Sequence, residues 1–81
     1  MKVRVQFYAQ LRDLTKTESA DVDLGASAKV SDVLENLYQR FPALRRHDKT
    51  ILIGAGLEFV DRGYKLKSGD EIAIMPPVQG G

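Results

Sequence analysis

The sequence predicts an α+β domain, a mixed sheet of four or five strands packed against one main helix. Three observations carry this. Residues 2–8, 19–24 and 71–75 alternate apolar and polar side chains with period two, the mark of half-buried strands. Residues 30–41 switch to a helical period. The order strand, strand, helix, strands places helical mass on one face of a sheet, because each element must bury its apolar side against another layer.

In the first segment Val3, Val5 and Phe7 share one side, and Arg4, Gln6 and Tyr8 the other. Residues 9–15 break the alternation, and the spacing of Leu11 and Leu14 predicts a short helical turn under the sheet. In residues 19–24, Ala20, Val22 and Leu24 face one way, Asp21 and Asp23 the other. Only about ten residues separate the two strands, so they should pair antiparallel.

From Val30 the apolar set Val30, Val33, Leu34, Leu37, Tyr38 and Phe41 forms one helix face, with Asp32, Glu35, Asn36, Gln39 and Arg40 turned to water. Ser27 or Ser31 is the expected cap, and Asp32 and Glu35 suit the positive end of the helix dipole. Pro42 restricts Phe41 and should end the helix there. Arg45, Arg46, His47, Asp48 and Lys49 read as a polar, mostly basic loop.

Residues 51–56 are a short apolar run, expected as a strand near the centre of the sheet, and residues 57–60 continue it or begin a companion. Asp61-Arg62-Gly63 and Ser68-Gly69-Asp70 are turns. In the last strand Ile72 and Ile74 point inward, Ala73 and Met75 outward. One helix crossing such a sheet is the ubiquitin-like β-grasp arrangement, in which the first and last strands lie side by side and parallel. Val3, Val5, Phe7, Ile72 and Ile74 would then face Val33, Leu34 and Leu37.

Composition narrows the function classes. A chain of 81 residues is one domain. Its 12 Lys+Arg against 11 Asp+Glu leave a net charge of +1, no electrostatic case for binding nucleic acid or a membrane surface. There is no Cys, so packing alone must hold the domain, and a reducing compartment is compatible. No apolar run approaches the ~20 residues of a membrane span, and the opening residues read as a strand, not a secretory signal. A cytoplasmic protein is expected.

Self-contained catalysis needs a nucleophile, base or metal held in a pocket. The single His47, between Arg46 and Asp48, reads as a solvated loop residue. Gly54-Ala55-Gly56 lacks the third glycine and following helix of a dinucleotide fingerprint. Asp21, Asp23, Asp70 and Glu71 read as solvent-facing, turn or strand-edge residues. No metal site and no bound cofactor are expected.

The reactive group left is the carboxylate of Gly81. Residues 1–75 form the domain, and residues 76–81, Pro-Pro-Val-Gln-Gly-Gly, form an extended tail. Pro76 and Pro77 fix φ near −65° and remove two backbone donors, which ends the ladder and stiffens the exit. Gly80 and Gly81 pass a narrow channel where any Cβ would clash. A carboxylate is a poor acyl donor until activated, so this tail must enter another protein's active site.

The run Gly69-Asp70-Glu71-Ile72-Ala73-Ile74-Met75-Pro76-Pro77-Val78-Gln79-Gly80-Gly81 resembles the C-terminal signature of the small, sulfur-carrying subunit of molybdopterin synthase. Val5-Gln6-Phe7-Tyr8-Ala9-Gln10-Leu11-Arg12-Asp13 is similar to that family's opening strand and turn, and the resemblance spans essentially the whole chain. Where the family often has Val-Asn, this chain has Ala55-Gly56; both Asn and Gly tolerate positive φ, so the same turn is expected.

The resemblance implies that an ATP-using enzyme of the ubiquitin-activating type adenylates Gly81, and that a sulfur donor protein converts it to a thiocarboxylate. The tail, Pro76 through Gly80, would then deliver sulfur to a pterin precursor inside the large synthase subunit, in a two-plus-two assembly. ATP is used by the activating enzyme, not held by this chain. Tyr8 and Met75 point away from the core and should be neighbours; Phe59 either joins them in a docking face or belongs to the core. A carrier for thiamine or transfer-RNA thiolation, and a ubiquitin-like modifier or interaction module, are the alternatives.

Overall fold

The computed structural model describes residues 1–77. In chain order it has β1 (Lys2–Phe7), α1 (Gln10–Thr15), β2 (Ser19–Asp23), α2 (Val30–Arg40), a 3-10 helix (Pro42–His47), β3 (Leu52–Ala55), β4 (Glu58–Val60) and β5 (Glu71–Met75). The strands form one mixed sheet in the order β2-β1-β5-β3-β4. β1 and β5 pair in parallel, with Val5 opposite Ile72 and Phe7 opposite Ile74, while the other pairs are antiparallel. A parallel pair needs a crossover, and the chain between β1 and β5 supplies it. This is the expected α+β, β-grasp topology: β5 takes the centre with β1 beside it, and β3, expected near the centre, lies between β5 and β4.

The core forms where the strand and helix periods meet. Val3, Val5, Phe7, Ile72 and Ile74 on the sheet are buried with Val33, Leu34 and Leu37 of α2. Burying a side chain of this size stabilises by about 1.5–3 kcal/mol relative to leaving it exposed. Leu11 of α1 and Leu44 of the 3-10 helix, two elements that pack against each other, join this core, both fully buried. In α1 the inward pair is Leu11 and Thr15, four apart, and Leu14 lies 36% exposed. The expected short helical turn is thus present, and Thr15 completes its inner face, its hydroxyl donating to the Leu11 carbonyl at 3.1 Å.

Helix α2 begins without a serine cap. Lys29 is the extended cap residue, and its amide donates to Asp32 Oδ2 at 2.9 Å. Two of the helix's orphan donors, the amides of Val30 and Ser31, reach the Tyr64 and Arg62 carbonyls, each at 3.0 Å. Asp32 and the turn after β4 therefore do the capping expected of Ser27 or Ser31. Asn36 is half-buried instead of turned to water, and Asn36 Oδ1 has no hydrogen-bond partner among the described residues.

Residues 45–49 are better ordered than a solvated loop. Tyr38 Oη donates to the Asp48 carboxylate, and Arg62 donates to both that carboxylate and the Asp48 backbone carbonyl. Arg45 lies over the Tyr38 ring, 5.1 Å from its centroid. Burial, reinforced by the Asp48 carboxylate, pushes the Tyr38 hydroxyl up to about 12. The same hydrogen bond, with Arg62, holds Asp48 below the usual carboxylate range. The cluster ties α2, the 3-10 helix and the turn after β4 into one unit. No helix among the described residues is long and apolar enough to cross a membrane.

Candidate functional site

The outer face of the sheet, opposite α2, follows from register. Because Val5, Phe7, Ile72 and Ile74 point into the core, Gln6, Tyr8, Ala73 and Met75 must point away from it. Pairing then lines up Gln6, Ala73, Gly54 and Phe59 in one row across four strands. Ala73 and Gly54 are small and form a floor. Larger side chains, Tyr8, Met75, Phe59 and Leu57, stand around it, with Glu58 and Glu71 also on the lining of a groove of about 570 Å³.

The sequence-predicted docking trio is thus brought together. Tyr8 is 49% and Phe59 68% exposed, which excludes the core alternative for Phe59. The Tyr8 amide donates to the Ile74 carbonyl at 3.2 Å, so Tyr8 extends the β1–β5 ladder by one position and stands beside Met75. A Cβ on Gly54 would lie 3.5 Å from Met75 Cε, in ordinary van der Waals contact, so Met75 reaches over the Gly54 position at the floor. The charged residues lining the groove are Glu58 and Glu71, both carboxylates. An apolar groove with carboxylates at its margin suits a protein partner that inserts apolar side chains between basic ones.

Leu57 was not among the residues singled out from the sequence, and it is fully exposed. It occupies the two-residue turn between β3 and β4, after Gly56 with φ +65°. A signal existed: a large aliphatic residue at the tip of a tight hairpin, where polar residues are usual. Gly56 also meets the expectation set by Ala55-Gly56, since the turn does require a positive φ there.

Pro76 and Pro77 follow β5 directly and are half-buried, sharing a recess with Ala9, Gln10 and Thr50. The tail root therefore lies at the end of the central strand, within one residue of the groove. The expectations for Val78, Gln79, Gly80 and Gly81 lie outside the described residues. Among the described residues, no cluster of three or more His, Asp or Glu side chains is arranged to hold a metal ion. His47 contributes its backbone carbonyl, which accepts from the Thr50 and Ile51 amides at 3.0 and 3.1 Å.

A mixed sheet with parallel first and last strands, covered on one face by a single long helix, defines the class of ubiquitin-like β-grasp domains. The chain belongs to the ThiS family, whose sequence model matches residues 5–81. Over the full length of both chains it is 34% identical to a molybdopterin synthase sulfur carrier subunit of Chlamydomonas reinhardtii. A protein of the same description from Drosophila yakuba is 35% identical over all of this chain and 92% of its own length.

Solved structures agree on the fold. SAMP1 of Haloferax volcanii superposes with a TM-score of 0.88 at 29% identity, covering all of both chains. A putative molybdopterin converting factor subunit 1 of Pyrococcus furiosus gives 0.86 at 26% identity, over 96% of this chain and 99% of that one. A chain from the Helicobacter pylori complex of subunits 1 and 2 of molybdopterin-converting factor gives 0.71 at 26% identity over all of both chains.

Proposed function

We propose that this chain is the sulfur carrier of a molybdopterin synthase, with the folded body as the grip and the Gly81 carboxylate as the reacting group. The carrying observation is the placement of the Pro76–Pro77 root at the end of the central strand, beside the Tyr8, Phe59 and Met75 groove. A partner holding the groove would thereby hold the origin of the tail. The full-length relatives named as sulfur carrier subunits support the choice of chemistry. The Helicobacter pylori complex supports a larger second subunit as the partner that receives the tail.

In this reading a Gly81 carboxylate oxygen attacks the α-phosphorus of ATP on an adenylating enzyme, and pyrophosphate leaves. A sulfur nucleophile then attacks the acyl carbon and displaces AMP, leaving a thiocarboxylate. The tail enters the large subunit, where its sulfur displaces an oxygen substituent on a carbon of a pterin precursor; water then cleaves the acyl–sulfur bond and restores the Gly81 carboxylate, and two such transfers build a dithiolene. This chain's described residues supply docking and direction. Pro76 and Pro77 keep the tail extended, so less conformational freedom is lost on insertion than a flexible linker would lose. A two-plus-two assembly with the large subunit is part of the proposal.

The test is intact mass after incubation with an adenylating enzyme of the ubiquitin-activating type, ATP and a sulfur source. The chain should gain the mass of one oxygen-to-sulfur exchange, located at Gly81. A chain lacking Gly81 should fold and gain nothing; the same gain in that variant would rule the proposal out.

A second reading is favoured by one observation: SAMP1, at a TM-score of 0.88, belongs to the small archaeal modifier proteins. In that reading the activated Gly81 forms an amide with a lysine of another protein. Peptide mapping for Gly81 linked to lysine separates the two, and genetic rescue of molybdoenzyme, thiazole or thiouridine synthesis separates the sulfur acceptors.

A further inference from the structure

Ala9 has φ 52° and ψ −132°, in the positive-φ half of the backbone map that an L side chain rarely enters. The hydrogen bond from the Leu11 amide to the Tyr8 carbonyl, 3.1 Å, closes a tight turn over Tyr8, Ala9, Gln10 and Leu11. A positive φ at the second residue of such a turn is normally met by glycine. Holding alanine there costs about 1–3 kcal/mol, a strain that persists only where the surroundings over-determine it.

The location gives the strain a consequence. On one side of Ala9, Tyr8 is fixed twice through its backbone, by its amide to Ile74 and its carbonyl from Leu11, and its ring lines the groove. On the other side, Ala9 and Gln10 share a recess with Pro76 and Pro77. One strained residue thus joins the docking aromatic to the wall behind the tail root. Glycine would satisfy the same φ without strain, and would also admit many other conformations.

We propose that Ala9 is a positioning residue, whose restricted turn sets the direction in which Pro76 and Pro77 leave the sheet and holds the Tyr8 ring on the groove. The proposal rests on the reading of residues 76–81 as a delivered tail. Its physical core, that Ala9 restrains Pro76 and Pro77, stands or falls by itself.

The experiment compares Ala9→Gly with Lys16→Gly. Lys16 is the other non-glycine residue with positive φ among the described residues, at 59°, and lies outside both the groove and the recess. The first readout is 13C relaxation of Pro76 and Pro77 in the isolated protein. Ala9→Gly should raise the amplitude of fast motion at both prolines, and Lys16→Gly should not. The second is adenylation kinetics, in which Ala9→Gly should raise KM for the chain by about 3- to 10-fold with kcat unchanged.

Unchanged proline relaxation in Ala9→Gly, or the same change in Lys16→Gly, would overturn the proposal. So would altered relaxation accompanied by an unaltered KM. If the wild-type chain is not adenylated at all, the sulfur-carrier reading falls, and the relaxation result alone then decides whether Ala9 restrains the root.

Discussion

Gly56 turns the chain from β3 into β4 at φ +65°, and a Cβ added there would meet nothing within 4 Å. Its requirement is therefore one of backbone, not of space. Gly56→Asn should change stability little, because Asn tolerates this region, whereas Gly56→Val should cost more than about 1 kcal/mol in denaturant unfolding. The positive φ was legible in the sequence, since a glycine replaced an asparagine of the resembling family. The strain at Ala9 was not, because nothing in an Ala-Gln pair announces a positive φ.

Tyr38 belongs at the same scale. Its hydroxyl titrates at about 12, above the ordinary 10.0, so the folded state holds that proton more tightly than the unfolded chain. The contribution is complete below pH 10.0 and is lost as pH rises through the folded value near 12. Tyr38→Phe should remove this part of the alkaline loss of stability, and should also lower stability at neutral pH by about 1 kcal/mol through the missing hydrogen bond. Equilibrium unfolding at neutral pH and at pH 10–12 checks both. Asp48 acts in the opposite sense: its lowered value gives stability above the ordinary 3.8, lost as pH falls through the lower folded value.

At the scale of elements, period carried most of the information. Strands 2–8, 19–24 and 71–75 and helix 30–41 could be read because their apolar residues recur with the period of the backbone. What that pattern does not encode is how ends are satisfied. Two amides of α2 are met by carbonyls more than thirty residues later in the chain, those of Arg62 and Tyr64, and no local signal marks such a cap. The local part of the cap is testable. Asp32→Ala removes the acceptor of the Lys29 amide and should lower stability by about 0.5–1 kcal/mol, measured by thermal or denaturant unfolding. The 3-10 helix was missed because its basic face resembles a loop, although its buried Leu44 anchors it to the core.

At the scale of the whole molecule, the sheet separates two tasks by its two faces. The inner face, against α2, carries the aliphatic residues that hold the domain together. The outer face carries Tyr8, Phe59, Met75 and Leu57 around the groove. Tyr8 and Met75 were legible from alternation once β1 and β5 were placed together, whereas Phe59, on β4, was left between this face and the core. The depth of the groove was not, because it depends on Gly54 and Ala73 lying in register between Gln6 and Phe59. The central strand joins the tasks by ending at the tail root.

This division is tested most directly by titrating the large synthase subunit with the wild-type chain and with Phe59→Ala. Phe59 is 68% exposed, so its removal should leave unfolding stability within about 0.5 kcal/mol of wild type. If the outer face is the grip, Phe59→Ala should weaken binding at least about tenfold, the loss of one aromatic anchor. Equal affinity of the two proteins for the large subunit would contradict the account.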